Sequence, residues 1–413
     1  MSDGTTSLNS FAEACLKELD ELASTAGAKV VGRVIQRRQS IRPSTFLSRG
    51  KLDQLKAEVE KTKANLVISD EDLSPAQVKN LEKYLEVKIL DRSEVILDIF
   101  SRHARTREAM TQVELAQLEY LLPRLSGMWE HLSRLGGGIG TRGPGETQLE
   151  VDRRQVRRKI SILKQHLEVI ERERDTQTRR RKDCFRICLV GYTNAGKSTL
   201  FNAMTQSDVL VEDKLFATLE TTTRRVWVAG GPVVLLSDTV GFIRKLPHHL
   251  VASFRATLRE VIEADLLVQV VDASHADLEE HMRAVDTVLD EILPRQVIRL
   301  LVFNKTDLID DEVREQSLRA HHTQAEFISA FRPEDVARCR ERIGVEVRSL
   351  RSRALVTYPH AMRGALSHLL SRGQRVRQAY LETDVEEEIW LEPGDLEQLK
   401  QKGARIEMLD GAV

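Results

Sequence analysis

Eight residues near the middle of the chain restrict its fold more than any other part of the sequence. The segment from Gly191 to Ser198 matches the pattern G-x-x-x-x-G-K-[ST], follows an apolar run at 185–190 and precedes a helical stretch from Thr199. A strand, a glycine-rich loop and a helix in this order form a phosphate-binding loop. The sequence therefore predicts a nucleoside triphosphate site formed by Gly191, Tyr192, Thr193, Asn194, Ala195, Gly196, Lys197 and Ser198.

A second segment predicts the metal that accompanies such a nucleotide. An apolar run at 233–237 ends in Asp238, Thr239, Val240 and Gly241, 40 residues after Ser198. The Ser198 hydroxyl and, through a water, the Asp238 carboxylate are suited to Mg²⁺. Lys197 is placed to neutralise the β and γ phosphates, and the backbone of Gly241 to approach the γ phosphate.

A third segment predicts which base is bound. The strand-like run 298–303 ends in Asn304, Lys305, Thr306 and Asp307. A carboxylate at Asp307 can accept hydrogen bonds from guanine N1 and N2, and it would remain unpaired with adenine. Ser329 and Ala330 are then placed for a backbone contact to guanine O6. An ATPase, or an RNA-binding protein with a vestigial nucleotide site, is the alternative; the N-K-T-D sequence opposes the first, and the intact lysine, serine and aspartates oppose the second.

The remainder of the chain suggests a multidomain α/β protein. With 413 residues, 41% of them hydrophobic, the chain has room for several cores. We expect an N-terminal α/β domain (1–98), an antiparallel helical hairpin (99–182), a nucleotide-binding domain with a doubly wound, mostly parallel sheet (183–346) and a small C-terminal α/β domain (347–413). Strand-like runs at 30–34, 66–69 and 87–90 support the first of these. No apolar stretch approaches the ~20 residues of a membrane span, and no targeting segment precedes the first domain, so we expect a cytoplasmic protein.

Two apolar heptad stripes, 118–135 and 149–170, predict the hairpin, with Pro123 kinking its first arm. Between them lies a glycine-rich loop that includes Gly140, Thr141, Arg142 and Gly143 and is longer than a helical turn requires. Residues 151–182 carry 12 basic and 5 acidic side chains. Arg153, Arg154 and Arg157 are therefore candidates for RNA phosphate contacts, and the loop residues 140–143 are candidates for RNA contacts at the tip. A solvated helix face and a disordered surface loop are the alternatives.

These motifs together resemble the HflX family of ribosome-associated GTPases, which are related to translation factors. The resemblance covers about residues 25–330 and includes the phosphate loop, the D-T-V-G-F-I-R-K-L-P stretch from Asp238 and the G-I-G-T-R-G-P-G-E-T-Q-L-E segment from Gly138. It implies a switch segment that folds over the nucleotide, comprising Phe216, Ala217, Thr218, Leu219 and Glu220. It also implies that Thr218 ligates Mg²⁺ beside Ser198, although the residues alone leave Thr221, Thr222 and Thr223 open as ligands.

The same resemblance implies a partner and a role. GTP and GDP would be the ligands, with Mg²⁺, and the large ribosomal subunit near its peptidyl transferase centre would be the partner of a monomeric protein. The expected role is ribosome splitting, rescue or recycling under stress. The alternative is an ATP- or GTP-dependent RNA-binding protein of subunit assembly. Whether the chain also contacts a membrane peripherally is left open.

Two further positions lead to expectations, and the second of them departs from the family pattern. Phe242 occupies the position after D-x-x-G where many GTPases have a water-orienting glutamine, and its side chain forms no hydrogen bond. We therefore expect slow intrinsic hydrolysis that ribosomes stimulate, with no side chain assigned as general base. After Ala330, the sequence F-R-P-E-D replaces a glycine-containing continuation, which predicts a differently shaped base-contacting loop.

Overall fold

The computed structural model describes residues 3–36, 42–125, 144–178, 184–205, 215–216, 221–228, 232–245 and 258–409. These residues form two compact units. The first contains the described residues up to Glu171 together with 215–216 and 244–245, and the second contains the remainder. None of the described helices is long and apolar enough to cross a membrane.

The first unit is mainly helical. Its elements are α1 (Asp3–Thr25), α2 (Arg49–Thr62), β1 (Leu66–Ser69), α3 (Pro75–Leu85), β2 (Lys88–Asp91), α4 (Arg92–His103), α5 (Arg107–Leu121) and α6 (Pro144–Thr178), the last of which continues past Glu171. β1 and β2 pair in parallel. Helix α3 begins where the Ser74 and Gln77 side chains form a reciprocal capping box and Pro75 fixes the first turn. Leu52, Leu81 and Ile89 pack in the core that the helices form on this sheet.

Two predictions for the first unit need correction. Residues 30–34 are not a strand: they have no regular secondary structure and no ladder partner among the described residues, and Val30 and Val31 are exposed. An apolar pattern alone cannot provide the neighbouring strand that a ladder requires. Helix α5 ends at Leu121, and a turn at 122–124 replaces the predicted kink. Leu122 keeps helical dihedral angles, so the helix is broken by Pro123 itself, which has no amide hydrogen for the helical ladder.

Helix α5 contains only the start of the 118–135 stripe from which the first arm of the hairpin was predicted, so the hairpin stays a prediction. The ion pairs of α5 with α6 join Glu114 to Lys159 and Glu119 to Lys164, the latter at 2.9 Å. Both pairs advance by five residues in the same chain direction, so the two helices run parallel over this stretch. Residues 126–143, which complete the predicted first arm and its glycine-rich tip, lie outside the described residues.

The second unit contains two sheets. The first has the order β4-β5-β3-β6-β7-β8; β4 pairs antiparallel with β5 and the other pairings are parallel. Its elements are β3 (Phe185–Gly191), α7 (Lys197–Thr205), β4 (Thr222–Trp227), β5 (Val233–Asp238), α8 (Arg259–Ile262), β6 (Leu266–Asp272), α9 (Leu278–Ile292), β7 (Ile298–Asn304), α10 (Glu312–His321), β8 (Glu326–Phe327) and α11 (Pro333–Leu350). All residues of β3 except Arg186 are buried, as expected for a central strand covered on both faces. This is the mostly parallel sheet that the phosphate loop predicted.

The second sheet is antiparallel, with the order β10-β11-β9-β12. Its elements are β9 (Ser352–Pro359), α12 (Arg363–Leu370), β10 (Gln374–Tyr380), β11 (Asp384–Leu391), α13 (Pro393–Gln401) and β12 (Arg405–Met408). Leu366 and Leu399, from the two helices, pack with Val356 and Ile389 of the strands in one buried cluster.

Candidate nucleotide site

The loop between β3 and α7 requires glycine at two positions. Gly191 has φ +151°, and a Cβ there would lie 2.2 Å from the carbonyl oxygen of Val270 on the neighbouring strand. Gly196 has φ +89°, and its Cβ would lie 2.2 Å from the side-chain amide nitrogen of Asn304. Both glycines therefore permit close approaches that a larger residue would prevent. The loop is packed against β6 and against the last residue of β7.

Lys197, the first residue of α7, is held inside this loop. Its ammonium donates hydrogen bonds to the carbonyl oxygens of Tyr192, at 2.7 Å, and Gly191, at 3.2 Å. Burial lowers the pKa of Lys197 to about 8, and the nearby Asp238 carboxylate offsets part of that decrease. Within the part of the chain that the structure describes, this buried ammonium bonds only to neutral carbonyls, which makes it a strong potential partner for a phosphate group.

Ser198 and Asp238 form the part of the site that suits a metal ion. The Ser198 hydroxyl donates to Asp238 Oδ2 at 2.6 Å. Asp238 is fully buried, which raises its pKa, and its Oδ1 atom has no hydrogen-bond partner among the described residues. An orphaned carboxylate oxygen beside a hydroxyl provides the hard oxygen donors that Mg²⁺ prefers. These two residues therefore fit the ion that the sequence predicts.

The segment after Asp238 is fastened to the phosphate loop through its backbone. Phe242 donates its amide to the Gly191 carbonyl at 3.1 Å and accepts the Thr193 amide at 2.8 Å. Gly241 lies so close that a Cβ on it would be 2.7 Å from the Thr193 Cα atom. The sequence indicated that the Phe242 side chain forms no hydrogen bond. It did not indicate that the Phe242 backbone joins the segment after β5 to the phosphate loop.

Thr239 and Val240 complete this segment on the protein side. The Thr239 hydroxyl donates to the Leu189 carbonyl at 2.7 Å, and both Thr239 and Val240 are buried. The Thr239 hydrogen bond anchors the segment to β3.

Asn304 connects three separate segments at the base end of the site. Its Nδ2 donates to the Ala195 carbonyl at 3.0 Å, and its Oδ1 accepts the Ala330 amide, also at 3.0 Å. Thr306 donates its amide to the Ile328 carbonyl at 3.2 Å. The phosphate loop, the N-K-T-D segment and the Ser-Ala segment therefore form one connected structure around a buried amide side chain.

The other two residues of N-K-T-D differ in their surroundings. Lys305 has φ +61° and forms an ion pair with Asp272 at 2.8 Å. The Asp307 side chain is exposed and has no partner among the described residues. Its carboxylate is therefore available to the two donors on the guanine edge.

Asp335 is a site residue that the motif analysis missed. Its buried carboxylate accepts the Ser329 amide at 2.8 Å and the Arg338 guanidinium at 2.9 Å. It lies in the first turn of α11, which begins at Pro333. The Asp335 carboxylate of the F-R-P-E-D continuation thus holds the Ser-Ala segment in place. An aspartate two residues after a proline that begins a helix was the sequence signal that could have indicated this role.

The structure describes only some of the remaining predicted site residues. Ala217, Thr218, Leu219 and Glu220, and the loop residues Gly140, Thr141, Arg142 and Gly143, lie outside the described residues. Phe216 is buried in the first unit, with its ring edge-on to Phe100 at 4.7 Å. On α6, Arg154 and Arg157 are exposed and Arg153 is half-buried, and none of these three forms an ion pair with a described residue.

Comparison with known protein families agrees with this geometry. A family model described as "GTP-binding GTPase N-terminal" matches residues 13–101, one described as "GTP-binding GTPase Middle Region" matches 103–181, and one described as "50S ribosome-binding GTPase" matches 186–305. The first two families match the sequence before the phosphate loop, and the third match contains the phosphate loop and the segment from Asp238 and ends at Lys305, within N-K-T-D.

Individual relatives are similar over most of the chain. A protein named GTPase HflX from Alkalihalophilus pseudofirmus is 44% identical over 365 residues, which cover 88% of this chain and 84% of the relative. The protein of that name from Escherichia coli is 48% identical, covering 72% of this chain and 70% of its own. A solved GTP-binding protein from Sulfolobus solfataricus in complex with GDP is 25% identical, with 81% of this chain and 95% of that chain covered and a TM-score of 0.41.

Proposed function

Because the chain belongs to the GTPase HflX family, we propose that it binds the large ribosomal subunit and uses GTP as a conformational switch in ribosome splitting, rescue or recycling. The chain is a GTPase that binds guanine nucleotides. The observation that carries the proposal is the buried Asn304, which joins the phosphate loop to both base-contacting segments. A bound nucleotide would touch all three segments at once.

The proposed chemistry follows from the partners of each side chain. Lys197 exchanges its carbonyl bonds for phosphate oxygens, and Asp307 accepts the guanine N1 and N2 donors. Ser198 and Asp238 would hold Mg²⁺, with Thr218 as the further ligand that the family resemblance implies; the ion would neutralise charge that develops on the phosphates. The backbone amide of Gly241 faces the terminal phosphate.

Slow hydrolysis in the free protein is part of the proposal. The buried Phe242 side chain can neither donate nor accept a hydrogen bond to the attacking water, so the residue after Gly241 contributes only backbone contacts. We propose that the ribosome supplies or orders a polar group at this position. Purified protein should therefore hydrolyse GTP much more slowly than protein mixed with ribosomes, and equal rates would contradict this step.

The proposed contact with ribosomal RNA relies on charge. Arg154 and Arg157 project from α6 without carboxylate partners among the described residues, and the glycine-rich tip at 140–143 would extend from this helix toward the peptidyl transferase centre. Arginines of this kind bind phosphate without reading sequence. We place the protein in the cytoplasm with the ribosomes, as a monomer.

Sedimentation with purified ribosomal subunits tests the proposal. With a non-hydrolysable GTP analogue, the protein should migrate with the large subunit, and Lys197→Ala, which loses the nucleotide, should not. Changing Arg153, Arg154 and Arg157 together to glutamate, or Arg142→Glu alone, should weaken migration but leave GTP affinity intact. Migration with neither subunit would refute the proposal, whereas binding only to immature subunits would favour a role in assembly.

A further inference from the structure

Phe331 is the most exposed large apolar side chain among the described residues. Its exposed fraction is 79%, although it directly follows Ser329 and Ala330, whose exposed fractions are 1% and 7%. An aromatic ring in water forgoes the burial that normally stabilises such a side chain. One exposed ring does not by itself indicate function, so its setting decides what it means.

The backbone that carries this ring is ordered on both sides. Residues 329–332 form a tight turn in which Arg332 donates its amide to the Ser329 carbonyl at 2.9 Å, and the Phe331 amide donates to the Ser329 hydroxyl at 3.4 Å. The buried Asp335 carboxylate fixes the Ser329 amide, and Pro333 begins a helix immediately afterwards. The ring is therefore presented to solvent by a fixed turn and not by a loose loop.

That turn lies at the base end of the nucleotide site. The Ala330 amide, one residue before Phe331, is bonded to Asn304, and Asn304 in turn is bonded to the phosphate loop at Ala195. Asp307 provides the edge recognition. A purine recognised along one edge still has two apolar faces, which need partners if they are to leave water.

We propose that Phe331 stacks on one face of the guanine base and stabilises bound nucleotide. Aromatic stacking does not distinguish one base from another, because every base has a π face. The ring would therefore increase affinity for any nucleoside phosphate that the site admits, while Asp307 determines the choice of guanine. The inference rests on the nucleotide site alone and is independent of the ribosomal part of the proposed function.

Calorimetric titration of the full chain with GDP tests this role. Phe331→Ala should weaken GDP binding by about 5- to 150-fold, the range that loss of base stacking on an aromatic residue gives, and Phe331→Tyr should bind like the unmodified protein. The ratio of GDP to inosine diphosphate affinity should not change, because stacking ignores the base edge. Binding of inorganic triphosphate, which has no base, should be the same in Phe331→Ala and the unmodified protein.

Trp227→Ala is the matched control. Trp227 is an aromatic residue with an exposed fraction of 75%, and it ends β4, the edge strand opposite β8. This control should bind GDP normally, and neither alanine variant should lower the melting temperature of the nucleotide-free protein. GDP affinity within twofold of normal in Phe331→Ala would overturn the inference, and so would an equal loss of triphosphate binding, since the effect would then arise at the phosphate loop.

Discussion

The side-chain amide of Asn304 donates a hydrogen bond to the carbonyl oxygen of Ala195, which fastens the base-recognition segment to the phosphate loop. The two residues are 109 positions apart in the sequence. The same side chain accepts a hydrogen bond from the Ala330 amide. Asn304 therefore holds the Ala195 and Ala330 segments in place through its own hydrogen bonds, without any contact to the base. Its removal should therefore affect both stability and binding.

We expect Asn304→Ala to lower the free energy of unfolding of the nucleotide-free protein by about 1–3 kcal/mol, because the Ala330 amide and Ala195 carbonyl lose a buried partner. GDP affinity should fall as well, since the two loops are no longer joined. Urea unfolding and calorimetric titration measure the two effects. Ser317→Ala, on the exposed side of α10, is a control that should change neither. A loss of affinity without any loss of stability would contradict the organising role.

Gly241→Ala tests how tightly the segment after β5 approaches the phosphate loop. A Cβ at this position would lie 2.7 Å from the Thr193 Cα atom, which belongs to backbone and cannot rotate away. We expect the variant to lose most GTP hydrolysis because the segment is pushed from the loop. Gly364→Ala is the matched control: its Cβ has no neighbour within 4 Å, and alanine favours the helix there, so activity should persist. Normal turnover in Gly241→Ala would show that the segment can shift without consequence.

The sequence predicted the parts of this site that follow from short local patterns, and it missed contacts between residues that are far apart in the chain. The strand before Gly191, the strand before Asp238 and the strand before Asn304 follow from local apolar runs, and the structure brings their ends together on one sheet. The partners of Asn304 and the role of Asp335 do not follow, because they depend on strand order and on turns that no local pattern encodes. The segment at 30–34 shows the converse, since its apolar spacing resembled a strand but none of the described residues pairs with it.

Nucleotide binding should take up protons at alkaline pH. Burial lowers the pKa of Lys197 to about 8 in the nucleotide-free protein, from 10.5 in water. Between these values the unfolded chain binds more protons than the folded one, so the contribution of Lys197 to stability increases with pH across this window. Bound phosphates favour the ammonium and should raise its pKa, so that GDP binding near pH 9 takes up as much as about one proton.

Titration in two buffers of different ionisation enthalpy measures this uptake. The apparent binding enthalpy of the unmodified protein should differ between the buffers at pH 9, and the difference should be smaller at pH 7.5, where Lys197 is mostly protonated and the terminal phosphate of GDP is almost fully ionised. In Lys197→Arg, if it binds GDP, the difference should disappear because a guanidinium stays charged. Equal enthalpies in both buffers at pH 9 would mean that the ammonium does not titrate in this range.

Asp307→Asn should reduce the preference for guanine over adenine nucleotides. The exposed carboxylate accepts two donors in the proposed pose, and an amide replaces one acceptor with a donor facing another donor. We expect a loss of about 1–3 kcal/mol in GTP binding, as for one unpaired polar group. Competition between GTP and ATP for the site measures the change. The effect should be smaller with inosine triphosphate, which lacks the N2 donor; an equal loss for both nucleotides would exclude pairing with N2.

A buried ion-pair network in the first unit holds the two residues that follow Ile243. Arg92, with an exposed fraction of 2%, bonds to Glu18, to Asp70 at 2.7 Å and to the Arg244 carbonyl at 2.9 Å. Lys245 donates to the other oxygen of Asp70 at 2.7 Å. Arg92→Ala would leave the buried Glu18 carboxylate without its main counter-charge and should lower the free energy of unfolding by about 3–5 kcal/mol.

Chemical unfolding of the full chain, followed by far-ultraviolet circular dichroism, measures this loss. Lys61→Ala is the control, since it removes an exposed ion pair with Glu58 and should change stability by no more than about 0.5 kcal/mol. Adding Glu18→Gln to Arg92→Ala should recover part of the loss, because the uncompensated carboxylate is then neutral. Failure of the double variant to recover any stability would show that packing around Arg92, and not its charge, carries the effect.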